Sequence, residues 1–313
     1  MHFAERLIGK VRAVGNPVLV GIDPRLESLP ESLRKGREAT RKVAAEIFRE
    51  FGRGVIDVVA DKVAAVKFQA AFYEQFGPEG MEALRDSLEY AQNRGLITIF
   101  DGKRNDIGST AEAYARAYLG KVDVGGVLER VWNVDAITVN PYLGSDGINP
   151  FVQVARAEEN GIFALVRTSN ASAGEFQDLI ADGKSIDRHV AARLAEWSSA
   201  DRGPSGYGLL GAVVGATYPE QLAEFRDALP GVWFLVPGYG AQGGSAEDVA
   251  GAFDEDGLGA IVNNSRGVTL AFNRADLRGR FGEDWQRAID AALDEMIADL
   301  AANTRAGRLR PGV

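Results

Sequence analysis

Eight short apolar runs recur along the chain, at 17–22, 64–67, 96–100, 135–140, 161–168, 209–215, 233–236 and 258–262. Between them lie stretches whose apolar residues fall at helical spacing. Runs this short and this little interrupted by polar residues are what strands buried on both faces require, and the amphipathic stretches supply crossovers. Parallel strands joined through helices cross over right-handed. Eight such units predict an α/β fold, a closed (β/α)8 TIM barrel, with helical additions at 3–13 and 284–303. An open doubly wound sheet is the alternative that the alternation leaves standing. No Pro/Ser linker divides the pattern, so residues 1–313 are expected to form one domain.

The helical stretches between strands are predicted at 38–61, 78–93, 109–119, up to about 160, 186–199, 219–228 and from 246. Gly95 is expected to close the second of these, and Thr110 to cap the third. The segment 121–133 fits neither strand nor helix and carries no functional reading. With a formal charge of −9 and a pI near 5.0, the chain lacks a nucleic-acid footprint or a polybasic membrane patch. No cysteine is present, which excludes disulfides and thiolate chemistry. The two histidines, His2 near the terminus and His189 in a helical stretch, argue against a histidine base or metal cluster. No run suits a secretion signal or a membrane span, so a cytoplasmic location is expected.

A barrel carries its active site at the carboxyl ends of its strands. Those ends hold Asp23, Lys67, Asp101 with Lys103, Asn140, Ser169, Gln242 and Arg266. Asp101 and Lys103 are two apart, hence on one face of a strand, roughly 6–7 Å apart, if extended geometry persists that far. A lysine flanked by carboxylates stays protonated: a poor nucleophile, a good proton donor. Lys67 follows an otherwise buried run, and a buried lysine needs carboxylate partners, which Asp23 and Asp101 on the adjoining strands supply. A purely structural ring of ion pairs fits the same residues. The glycine-rich stretch 238–244, with Ser245 opening a helix, has the chemistry of a phosphate cradle, and Arg266 adds a guanidinium after the next strand.

The motifs resemble one family closely. Asp101, Lys103, Asp106, Ile107 and Thr110 complete the D-x-K-x-x-D-I-x-x-T signature of the orotidine 5′-phosphate decarboxylases, in their longer bacterial form. Further matches lie at 20–23, 66–67, 167–170, 237–242 and 261–266, so the resemblance spans roughly 17–270. It implies a cofactor-free, metal-free decarboxylase that converts orotidine 5′-phosphate to UMP in pyrimidine synthesis. By resemblance, Lys103 protonates C6 and Asp101 lies beside the substrate carboxylate and holds Lys103. Lys67 and Asp23 complete the charge network and contact the ribose. Ser169 meets the pyrimidine amide, and Gln242 and Arg266 hold the phosphate. Asp106 and Thr110 are expected to serve the partner subunit of a homodimer. One departure stands out: at 263–266 the chain reads Asn-Asn-Ser-Arg, where shorter members often place a glycine before the arginine. This puts the backbone phosphate donors there in question.

Related sugar-phosphate decarboxylases and aldolases share D-x-K-x-x-D but hold magnesium through acidic residues, one of them a glutamate at the end of strand two. Lys67 stands in that place, and its charge opposes a metal. A Schiff-base aldolase needs a neutral lysine, which flanking carboxylates disfavour. A non-catalytic phosphate-binding barrel explains Arg266 and the glycines but has no use for alternating aspartates and lysines.

Overall fold

The computed structural model describes residues 1–240 and 243–310. Eight strands close into a parallel barrel: β1 (Val18–Ile22), β2 (Ala65–Gln69), β3 (Ile97–Arg104), β4 (Ala136–Val139), β5 (Gly161–Arg167), β6 (Leu210–Val214), β7 (Phe234–Val236) and β8 (Ala260–Asn264). Each pairs with the next in sequence, and β8 closes on β1 through Val18 opposite Val262. Closure removes the open-sheet alternative. Every residue of β1 and of β6 is buried, as two-sided burial requires.

The helices bury one stripe each against the barrel. Helix α1 (Phe3–Val14) precedes β1 and lies across the amino-terminal end, with Phe3 meeting Phe163 edge-on at 6.1 Å. A Cβ on Gly161 would stand 2.3 Å from the Phe3 ring, so glycine there lets the phenyl group seat against the start of β5. Helix α2 (Arg41–Val59) opens on Thr40, whose side chain accepts from the Val43 N–H, and buries Ile47, Phe48, Phe51, Val55, Ile56 and Val59. Each such side chain contributes roughly 1.5–3 kcal/mol relative to exposure. The last helix, Trp285–Asn303, packs Trp285 over Gly54 and Phe51, and Lys62 pairs with its Asp290 and Asp294.

The structure departs from the sequence expectations in four places. Strand β3 continues through Arg104 rather than ending at Phe100. Thr110 does not cap the next helix: Ile107 holds the N-cap position of Gly108–Leu119, and Thr110 is its third residue. The crossover after β7 is one α-helical turn, Ala246–Val249, plus a 3-10 turn, Ala250–Ala252. It runs so close to the preceding helix that a Cβ on Gly251 would lie 2.8 Å from that of Ala223. Finally, the segment 121–133 contains an antiparallel hairpin, Val122–Val124 with Val127–Glu129, turned at Gly125 and Gly126, both at positive φ. A second, shorter hairpin joins Ile180–Ala181 to Lys184–Ser185 through Asp182-Gly183.

Candidate active site

At the carboxyl ends of the strands opens a cavity of about 560 Å³. Its floor is a chain of alternating charges. Lys67, 4% exposed on β2, sets its ammonium 2.9 Å from Asp101 Oδ2 and 3.8 Å from Asp23 Oδ1. Lys103 Nζ donates to the other Asp101 oxygen at 2.7 Å. Burial alone would raise the Asp101 pKa, but Lys67 and then Lys103 more than reverse it, holding the carboxyl well below the usual range. For Lys67, burial disfavours the charge, yet Asp101 and Asp23 outweigh it and its pKa rises above the ordinary lysine value. Both groups are therefore locked in their ionised forms.

Thr138 on β4, which sequence reasoning passed over, supports this floor. Its hydroxyl donates to Asp101 Oδ1 at 2.8 Å and accepts the Lys103 N–H at 3.0 Å. That second bond matters because Lys103 is not in extended geometry: its φ is +47°. A non-glycine residue in this region costs about 1–2 kcal/mol, and such residues gather at functional sites. The β3–β4 register breaks between Phe100 and Arg104 around it. Gly102 accommodates the break, since a Cβ there would strike the Phe100 ring at 2.3 Å. The two-residue spacing does bring Asp101 and Lys103 together, but through a kinked backbone rather than a regular strand.

Asp23 Oδ1 is a buried acceptor with no hydrogen-bond donor. It faces the same cavity as Ser169, whose loop is held close to β6 by Gly215: a Cβ there would lie 3.0 Å from Ser169 Cα. Behind that loop Arg167, fully buried, pairs with Asp178 and Asp187 and stacks at 4.0 Å on Tyr218. Gln177 further ties the loop down by hydrogen bonds with Thr168.

The opposite wall holds Gly238, Tyr239 and Arg266. Tyr239 is anchored by donating to Asp299 in the last helix, at 2.5 Å. Among the described residues, the backbone donors expected to form a helix N-terminal anion site are engaged elsewhere. The helix is one turn long, and Ser245 and Asp248 close a reciprocal capping box on it, with the Ser245 N–H bonded to Asp248 Oδ2 at 2.7 Å. The N–H groups of Gly240, Gly243 and Gly244 donate within their own loop, to Gly244, Gly240 and Gly238. The Gly267 N–H donates to Asn264 Oδ1 at 3.0 Å. Ser265 fits because β1 offers Gly21 opposite, where a Cβ would lie 1.9 Å from Ser265 Oγ. Gln242 lies outside the described residues.

Not every predicted residue converges. Asn140 accepts from the Tyr142 N–H and turns the chain after β4 without lining the cavity. Asp106 and Thr110 also stand outside it, Asp106 half-buried and Thr110 exposed, with Asp106 Oδ1 accepting the neighbouring Ile107 N–H at 2.8 Å. Within one chain Lys103 has a single carboxylate partner, Asp101, among the described residues.

The structure is thus a (β/α)8 barrel whose strand ends set an alternating Asp–Lys array and an arginine around one cavity, a lining suited to an anionic ligand. Comparison with known proteins narrows the class. The family model described as Orotidine 5'-phosphate decarboxylase / HUMPS family matches residues 21–278, and the chain belongs to that family. It is 48% identical over 302 residues to the orotidine 5'-phosphate decarboxylase of Rhodopirellula baltica, covering 96% of this chain and 99% of that one. To the Halobacterium salinarum protein of the same name it is 40% identical, covering 93% and 96%. The solved structure of Leishmania donovani OMP decarboxylase superposes with a TM-score of 0.72 at 31% identity, covering 97% of this chain and 99% of that one.

Proposed function

We propose that this chain decarboxylates orotidine 5′-phosphate to UMP, using its own side chains and no metal or cofactor. The observation that carries the reading is the Asp23–Lys67–Asp101–Lys103 array, alternating in charge and lining one cavity. In the proposed step the bond between C6 and the carboxylate carbon breaks and carbon dioxide leaves. The electron pair left at C6 takes a proton from Lys103 Nζ, and solvent returns the proton to the lysine. An ammonium fixed beside developing negative charge lowers the barrier electrostatically before it transfers its proton. Asp101 orients Lys103 and lies near the substrate carboxylate. Lys67 secures Asp101, and the Asp23 oxygen, which accepts no hydrogen bond, suits a ribose hydroxyl. Ser169 is assigned to the pyrimidine amide, and Arg266 with Gln242 to the phosphate. Family relatives that hold magnesium need an acidic group where Lys67 puts an ammonium against Asp101, which argues against a metal there.

The working unit in this reading is a homodimer in which Asp106 and Thr110 complete the partner's site. Support comes from their position outside their own chain's cavity, and from exposed apolar side chains near Asp106: Ile107 next to it, and Leu143, which flanks Gly147 together with the Asp106 carbonyl. The place of work is the cytoplasm. No described helix is long and apolar enough to cross a membrane, and no nucleic-acid partner is proposed for a chain of charge −9.

The direct test is loss of orotate absorbance when the purified protein meets orotidine 5′-phosphate, with and without chelator. Turnover unaffected by chelation is expected; chelator-sensitive turnover, or none, overturns the assignment. The shared site has its own test. Lys103→Ala and Asp106→Ala subunits, each inactive alone, should on mixing recover roughly a quarter of the wild-type sites, since half the dimers are mixed and one site in each is intact. Demonstrated exchange without recovery removes Asp106 from the partner's site.

A further inference from the structure

We infer that Arg25 is a second guanidinium for the substrate's phosphate, working beside Arg266; the role rests on the decarboxylase reading above. The charged residues lining the described cavity are Asp23, Arg25, Lys67, Asp101, Lys103 and Arg266. Both lysines are committed to the two aspartates. Among the described residues neither Arg25 nor Arg266 makes an ion pair, so two guanidinia face the cavity uncommitted.

Three further observations give Arg25 this work. First, it sits two residues past Asp23 on the loop leaving β1, and β1 adjoins β8, whose following loop carries Arg266. Gly21 faces Ser265 directly, so the two loops leave the rim side by side. Second, the Arg25 guanidinium rests on the Phe72 ring with its carbon 4.8 Å from the centroid. Stacking holds the group at the mouth while leaving its N–H edge free to donate, as bidentate phosphate binding requires. Third, among the described residues the backbone N–H groups of Gly240, Gly243, Gly244, Ser245 and Gly267 all donate to neighbours. Side chains must supply the charge instead. With Arg25 the lining cations exceed the lining carboxylates by two, matching the charge of a phosphate dianion; without it the excess is one.

Titration with UMP and with uridine, which differ only in the phosphate, tests the assignment without any chemistry. Arg25→Ala should weaken UMP binding roughly ten- to a hundred-fold and leave uridine binding unchanged, the range for a charged hydrogen-bonding group. Arg25→Lys should restore part of the loss, since it keeps the charge but not the planar fork. An equal loss for both ligands, or none for UMP, overturns the role and leaves the decarboxylase reading intact. Failure of the wild-type chain to bind UMP overturns both.

Discussion

The floor of the cavity and its rim are built on different principles. On the floor, Lys67 and Asp101 are 4% and 7% exposed, each charge touches its opposite, and Thr138 fixes the backbone of Lys103. At the rim, Arg25 and Arg266 are exposed and the glycine-loop amides bond to their own loop. The floor therefore sets its charges on folding, whereas the rim keeps long, exposed side chains free to take up the anion proposed above. A reacting centre gains from charges that need not reorganise during the step. A remote phosphate site can instead spend binding energy on ordering its surroundings.

The sharpest way to break this contrast is to remove Lys103, the proton donor proposed above. Lys103→Ala should lower kcat by roughly 10⁴-fold or more, because it deletes both the electrostatic and the proton-transfer contribution. UMP affinity should stay within a few-fold of wild type. Turnover near wild type would remove Lys103 from the chemistry and leave the floor a structural ion-pair ring.

Asp101→Asn tests whether the floor is also part of the fold. It leaves the buried Lys67 with only the more distant Asp23, and stranding a buried charge costs about 3–5 kcal/mol. The melting temperature should fall accordingly, and the variant should lose much of the wild-type response to acid. The sign follows from the depressed Asp101 pKa: the folded state binds this proton less readily than the unfolded chain. Its contribution is complete above the unfolded aspartate value near 4 and declines as pH falls below it. Lys67 works the other way, its raised pKa contributing below about pH 10.4 and fading in stronger base. A variant as stable as wild type at neutral pH would mean that Lys67 escapes to water and that the floor is not preorganised.

The same division separates what was legible in the sequence from what was not. The eight strands and most helices followed from periodicity because two-sided burial leaves a strong trace, as in β1 and β6. The charge array was legible because a lysine in a buried run demands carboxylates on adjoining strands. Thr138 was not, since a threonine inside a strand is ordinary until the kink at Lys103 turns its hydroxyl into a bridge. Thr110 was misread as a cap because its chemistry suits one, while the helix begins earlier, at Gly108 after extended Ile107. The Gly125-Gly126 hairpin does leave a signal, a glycine pair between β-branched residues, but it lies outside the strand–helix alternation of the barrel. At the rim the glycines promised a cradle, but composition cannot tell which N–H groups a loop keeps for itself.

The smallest expected effect is the one that tests the rim. Arg266→Ala should raise KM for orotidine 5′-phosphate roughly ten- to a hundred-fold, the loss of one charge-assisted contact, with a melting temperature close to wild type. Its side chain is exposed and, among the described residues, makes no ion pair for folding to lose. Remote binding energy can also be spent on organising a site, so kcat should fall as well, but by less than in Lys103→Ala. The comparison with Asp101→Asn is the informative one: one variant should move affinity and spare stability, while the other should lower stability outright. If Arg266→Ala instead melts as early as Asp101→Asn, the rim is as deeply part of the fold as the floor, and the division between a preassembled centre and an adaptable anion site does not hold.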